Sequence, residues 1–177
     1  AKKIFAVEMD ERCIIALREL ERLCDRRLNI LKNDALQIKE ADLTTDKIYV
    51  IANLPYNIGT ALIFKWLDNL SLFTGFTLML QKEVVERICA KPSNHDYGKL
   101  SILIQIKATT EKVFDVDPEF FFPPPKVTSS IIRIIPREKP IHAYNEDRLE
   151  KILKAAFSHR RKMIRTTLNS VFSNIED

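Results

Sequence analysis

Three short apolar runs, Ile4-Phe5-Ala6-Val7, Leu28 to Leu31 and Ile48-Tyr49-Val50-Ile51-Ala52, recur in the N-terminal part of the chain, and each gives way to polar or acidic residues. Runs of this kind are strands buried on both faces. Their alternation with helical spacing confines the chain to an α/β architecture with a parallel sheet. From Glu11 to Cys24 the residues Cys13, Ile14, Leu17, Leu20 and Cys24 recur at three- and four-residue steps, which predicts a helix with both cysteines on its buried face. Thr60 to Leu70 reads as a helix with Thr60 at its N-cap, Phe76 to Leu80 as a strand, and Lys82 to Ala90 as a helix, so the sheet is expected to be covered on both faces.

Beyond this point the pattern changes. Lys91 to Asp96 is a loop by composition, and Leu100 to Ala108 is an apolar run read as helix. Lys112 to Val116 and Ser130 to Ile135 read as two strands joined by a Phe-Pro-rich connection, Pro118 to Lys126. About a dozen residues is short for a crossover, so this pair is expected to be antiparallel and to lie at a sheet edge. Pro136-Arg137-Glu138-Lys139-Pro140 reads as a linker, and Asp147 to Phe157 and Arg161 to Phe172 as two amphipathic helices.

The 177 residues are 46% hydrophobic and 29% charged, the balance of a folded chain rather than a disordered or collagenous one. At this length roughly 70% of the unfolded surface can be buried without disulfide or metal staples. No apolar run approaches the ~20 residues of a membrane span, and no signal-peptide region is visible. Cys13, Cys24 and Cys89 are odd in number and hold no C-x-x-C pair, which points to a reducing, cytoplasmic setting and away from a zinc ribbon. The net charge of +4 says little alone, but Arg148 to Arg165 holds seven basic residues against one acid, Glu150. Only Gly59, Gly75 and Gly98 occur, so there is no Gly-rich nucleotide loop of the G-x-G type.

In an open parallel sheet, ligands bind beyond the carboxyl ends of the strands, where Glu8, Asp34 and Asn53 fall; these ends are expected to converge on one crevice. Glu8 could accept ribose hydroxyls and Asp34 an adenine amino group. Taken singly, each reads more simply as a solvated loop charge; together at strand ends they favour a nucleoside cofactor. Asn53-Leu54-Pro55-Tyr56 is the sharpest feature. A purine amine is a poor nucleophile because its lone pair is delocalised into the ring. The Asn53 side-chain oxygen and the Leu54 carbonyl could accept its two hydrogens and favour a pyramidal nitrogen. Pro55 stiffens the turn and Tyr56 offers a face for stacking; the plainer reading is an Asx turn and a core tyrosine. His95, His142 and His159 share neither metal nor triad spacing, and no metal is expected.

The ordered set Val7-Glu8-Met9-Asp10, Asn33-Asp34-Ala35-Leu36, Asn53-Leu54-Pro55-Tyr56-Asn57-Ile58, Tyr97-Gly98-Lys99-Leu100-Ser101, Phe121-Phe122-Pro123-Pro124-Pro125-Lys126-Val127 and Phe157-Ser158-His159-Arg160-Arg161-Lys162 resembles the ribosomal RNA adenine dimethyltransferases, in particular the small-subunit dimethyladenosine transferase branch. The resemblance covers nearly the whole chain. It implies a Rossmann-like S-adenosylmethionine-dependent methyltransferase sheet, largely parallel with an antiparallel edge strand, plus a small C-terminal helical domain. The implied division is a catalytic domain over 1–138 and a partial RNA-binding domain over 139–177. It implies S-adenosylmethionine as donor, with Glu8 on the ribose, Asp34 and Ala35 at the adenine, and Asn53 at the reaction centre. Phe121 is implied to stack on a flipped adenine opposite Tyr56, which would recover roughly 1–3 kcal/mol per stacked face. For Phe121 and Phe122 the alternative is a pair of core aromatics.

The implied substrate is small-subunit ribosomal RNA in an immature subunit, with two neighbouring adenosines near its 3′ end each receiving two methyls. Arg160, Arg161, Lys162 and Arg165 suit contacts to phosphate; the alternative is a solvated helix face paired with Glu146 and Asp147. Lys126 either contacts phosphate or closes the proline turn. Family members carry an upstream strand and a Glu-x-Gly-x-Gly loop before the first residues seen here, and a longer C-terminal helical domain. A shortened chain would bind its donor weakly and expose sheet edges prone to pairing with another chain; the intact parent is not expected to be an oligomer. A non-catalytic RNA-binding assembly factor is the alternative function, and an adenine methyltransferase of large-subunit RNA or DNA a third.

Overall fold

The computed structural model describes residues 1–158 and 163–172. Two compact units are present, 1–48 with 56–74, and 49–55 with 75–177. In the first, β1 (Ile4–Glu8) and β2 (Leu28–Lys32) pair in parallel, with Ile4 opposite Leu28 and Glu8 opposite Lys32. The crossover between them is α1 (Glu11–Leu23), which Asp10 caps by accepting the Arg12 N–H at 2.9 Å. Arg12 also grips that carboxylate and holds its pKa down at about 2.

Helix α1 departs from the sequence expectation in what it buries. Ile14 is 1% exposed, but Cys13 and Leu20 are exposed and Cys24 is only half-buried. Within this unit the helix meets two strands about 4.8 Å apart, a platform that covers a narrow stripe rather than a broad face.

Helix α2 (Gly59–Leu67) buries Leu62, Ile63, Trp66 and Leu67, each contributing about 1.5–3 kcal/mol of transfer free energy. Trp66 meets Phe73 with ring centroids 6.4 Å apart. The expected Thr60 cap is absent. The helix starts two residues earlier, with the Ile58 carbonyl already accepting the Leu62 N–H at 2.9 Å, so Thr60 lies inside the first turn and Ile58 holds the cap position without a side-chain bond.

The second unit is a four-stranded sheet in the order β3 (Ile48–Asn53), β4 (Phe73–Gln81), β6 (Ser129–Pro136), β5 (Ala108–Val116). Strand β6 runs antiparallel to both β4 and β5, so the expected antiparallel pair is present at the sheet edge. Leu78, Ile132 and Ile134 fill its core with Val85 and Ile88 of α3 (Lys82–Cys89) and Ile104 of α4 (Lys99–Gln105). The apolar run Leu100 to Ala108 is helix only as far as Gln105. The Lys107 carbonyl accepts the Arg137 N–H at 2.9 Å, which draws the chain into the ladder with β6, and strand begins at Ala108.

Asn145 caps α5 (Glu146–Ala156), on which α6 (Ile164–Phe172) packs. Lys107 and Lys99 bind Glu146 and Glu150 at 2.7 and 2.9 Å, so lysines outside the helix take these two acids of α5. On β3, Tyr49 and Ile51 are 45% and 80% exposed. Among the described residues no helix is long and apolar enough to cross a membrane.

Candidate active site

At the carboxyl ends of the parallel pair, Glu8 Oε1 accepts the amides of Met9 and Asp10 at 2.7 and 2.8 Å. The carboxylate is thereby fixed by one oxygen, and Oε2 takes no hydrogen bond among the described residues. One step further on, the Asn33 amide donates to the Glu8 carbonyl at 3.2 Å, which continues the parallel pairing into the turn that carries Asp34. There the pattern repeats: Asp34 Oδ1 accepts the Leu36 N–H at 2.9 Å, and Oδ2 takes no hydrogen bond among the described residues. Two carboxylate oxygens thus stand ready at the same strand ends. Ribose hydroxyls and an adenine amino group are all donors, so these acceptors fit a nucleoside.

Sequence reasoning missed what lies behind that turn. The Lys65 ammonium on α2 donates to the carbonyls of Ala35 and Ile38 at 2.9 and 2.5 Å and to Glu40 Oε1 at 2.7 Å. Trp66 Nε1 donates to the same Glu40 oxygen at 2.8 Å. Lys65 and Glu40 are 23% and 15% exposed.

Asn53 ends β3 in the second unit and is exposed, while Leu54, the next residue, is 5% exposed. The Leu54 N–H donates to the Met79 carbonyl at 3.2 Å. The turn is therefore pinned to β4 through one buried residue, and the asparagine beside it stays open to solvent. Tyr56, expected to supply a stacking face, is 42% exposed and belongs to the first unit.

The connection from β5 to β6 begins as a single turn of 3-10 helix over Pro118–Phe120, closed by the Phe121 N–H on the Pro118 carbonyl at 3.1 Å. Phe121 is half-buried, whereas Phe120 and Phe122 are 73% and 101% exposed, so Phe122 is not a core aromatic. The Phe122-Pro123 peptide is cis. At the roots of this connection Asp115 accepts from Lys82, Lys112 and Ser130 at 2.8, 2.7 and 2.6 Å, and the Lys82 N–H donates to the Thr128 carbonyl at 3.0 Å. Lys112, Lys82 and Ser130 hold the Asp115 carboxyl well below the usual carboxylate range, and that carboxylate in turn raises the Lys82 ammonium. The cluster depends on side chains from α3 and the two strands, and no local sequence pattern announces it.

Arg160, Arg161 and Lys162 lie outside the described residues; Arg165 on α6 and Lys126 are exposed. His95 sits on an exposed loop with Asp96 at 3.2 Å. Cys89 is half-buried, which pushes its thiol pKa up and disfavours the thiolate. Among the described residues no group of three His, Cys, Asp or Glu could hold a metal ion.

A "Ribosomal RNA small subunit methyltransferase A" of Ehrlichia chaffeensis is 43% identical over 99% of the chain and 67% of its own length. The protein of the same name from Rhodospirillum rubrum is 43% identical over 97% of the chain and 59% of its length. The chain thus spans roughly three fifths to two thirds of such relatives. Among solved structures, a dimethyladenosine transferase from Plasmodium falciparum superposes with a TM-score of 0.83 at 32% identity, over 98% of this chain and 62% of that one. A 23S ribosomal RNA methyltransferase superposes at 0.75 with 22% identity and shares the Rossmann-like fold. The sequence profile described as "Ribosomal RNA adenine dimethylase" matches residues 1–176, and the chain belongs to that family.

Proposed function

We propose that this chain carries the catalytic centre of an S-adenosylmethionine-dependent ribosomal RNA adenine N6,N6-dimethyltransferase that acts on two adjacent adenosines near the 3′ end of small-subunit ribosomal RNA, within immature subunits in the cytoplasm. The observation that carries the reading is the Asn53 turn: an exposed amide side chain at a strand end, held by a buried neighbour whose N–H is already committed to Met79.

When bound, S-adenosylmethionine supplies an electrophilic methyl on a sulfonium sulfur. Glu8 would hold its ribose hydroxyls through Oε2 and Asp34 its adenine amino group through Oδ2, with Ala35 beside it. Asn53 Oδ1 and the Leu54 carbonyl take the two hydrogens of the target amine and turn its lone pair out of the ring plane. Tyr56 and Phe121 stack on the extruded base, which offsets part of the cost of taking it from its helix. The amine needs no deprotonation before attack, so no histidine is assigned. Residues 1–138 form the catalytic domain. Residues 139–177 contribute RNA contacts through Arg160, Arg161, Lys162 and Arg165, and Lys126 adds one more phosphate contact.

The test is methyl incorporation from labelled donor into immature small subunits, large-subunit RNA and duplex DNA. The expected result is transfer to the small subunit alone, abolished by Asn53→Ala. RNA binding without incorporation by either form would overturn the catalytic reading in favour of an assembly factor.

A further inference from the structure

We infer that Lys65 is a positioning residue for the donor pocket: it sets the orientation of the Asp34 carboxylate, and through it the preference for a donor whose purine bears an exocyclic amino group. This rests on the reading of Asp34 as the adenine acceptor given above.

The argument turns on a single peptide unit. The carbonyl of Ala35 accepts from Lys65 Nζ at 2.9 Å, and the N–H on the other side of the same peptide, that of Leu36, donates to Asp34 Oδ1 at 2.9 Å. A peptide is planar, so fixing its oxygen fixes the direction of its N–H. A cation on the carbonyl also polarises the unit and strengthens donation from its other end. Lys65 therefore acts on Asp34 through one rigid relay. The second carbonyl bond, to Ile38, and the Gln37 N–H on the Asp34 carbonyl at 2.9 Å keep the turn from pivoting about that peptide. An ammonium has three N–H groups, and Ala35, Ile38 and Glu40 use all three. Lys65 thus has no donor left for a ligand, which separates a positioning role from a binding one. Glu40 compensates a largely buried charge and is itself held by Trp66. With Oδ1 already accepting from Leu36, the orientation of Asp34 leaves Oδ2 as the more open acceptor for a purine amine.

The experiment compares Lys65→Met with the double variant Lys65→Met/Glu40→Gln, which removes both charges and guards against a fold lost to an unpaired glutamate. Calorimetric competition measures binding of S-adenosylhomocysteine and of its analogue with hydrogen in place of the purine amino group. The wild-type chain should prefer the amino-bearing ligand by roughly 10- to 100-fold, the range of one charge-assisted hydrogen bond. In the variants that preference should fall to about 3-fold or less, with the loss confined to the amino-bearing ligand. The Leu36 amide should exchange faster by NMR while amides of β1 and β2 stay protected. Equal weakening of both ligands, or an unchanged preference, would overturn the inference and leave the donor site standing. A wild-type chain that binds both ligands alike would overturn the reading of Asp34 itself.

Discussion

Asp115 and Lys82 join the two roots of the aromatic-proline connection to the start of α3: Asp115 Oδ2 lies 2.8 Å from Lys82 Nζ, and the Lys82 amide holds the carbonyl of Thr128, the residue before β6. Because Lys112, Lys82 and Ser130 depress the carboxyl in the folded state, its contribution to stability is complete above about pH 4, the ordinary carboxylate value, and drains away as pH falls towards the folded value. Asp115→Asn should lower Tm at pH 7 by a few degrees at most, since the pairs are partly solvated and worth about 1 kcal/mol or less. Thermal melts from pH 7 to pH 2.5 should show the gap between the two proteins closing below about pH 4; a gap that widens on acidification would contradict the clasp.

Asn53→Ala should separate catalysis from folding. Asn53 is exposed, so unfolding free energy should move by less than about 0.5 kcal/mol. Turnover should drop by roughly 10²-fold or more, the size of losing one group aimed at the reacting centre. Donor affinity and urea midpoints measured on the same preparation complete the comparison.

Ser101 belongs to the Tyr97-Gly98-Lys99-Leu100-Ser101 motif but works as scaffold. It is 0% exposed, donates to the Arg87 carbonyl at 2.6 Å and accepts the Gly98 N–H at 3.1 Å, tying the start of α4 to α3. Ser101→Ala strands both backbone groups and should cost about 1–3 kcal/mol in urea unfolding. Ser101→Thr keeps the hydroxyl but adds a methyl to a filled site, and should not restore full stability.

Gly75 lets three strands of the second unit close up. A Cβ there would lie 2.8 Å from both Ile135 Cδ1 and Tyr49 Cε2. The tyrosine cannot swing away without losing its hydroxyl bond to Thr77 at 2.9 Å. Gly75→Ala should cost about 1–3 kcal/mol by chemical denaturation, and adding Ile135→Val, which removes one of the two clashing atoms, should recover part of it.

Lys126 and Arg165 are both exposed. If each neutralises one phosphate, Lys126→Ala and Arg165→Ala should each lower the slope of log affinity against log salt by about 0.7–0.9 in RNA binding titrations, and weaken binding alike across sequences.

Much of this was readable along the chain, because strands and amphipathic helices are encoded by the order of neighbouring residues. The runs at Ile4, Leu28 and Ile48 became β1, β2 and β3, the short Phe-Pro connection led to an antiparallel edge, and Asn53 falls at a strand end. Where local spacing failed, the cause was what a face meets. Cys13 had the period of a buried residue but no platform to cover it, and Thr60 had the chemistry of a cap on a helix that had already begun at Gly59. Lys65 and Asp115 look like ordinary surface charges in one dimension. Their roles arise because Lys65 meets carbonyls 27 and 30 residues away, and Asp115 meets Ser130 15 residues on and Lys82 on another helix. A salt bridge or a carbonyl grip is satisfied by distance in space, which periodicity does not encode, so the strands and helices were legible from residue order while the bracing between them came only from folding.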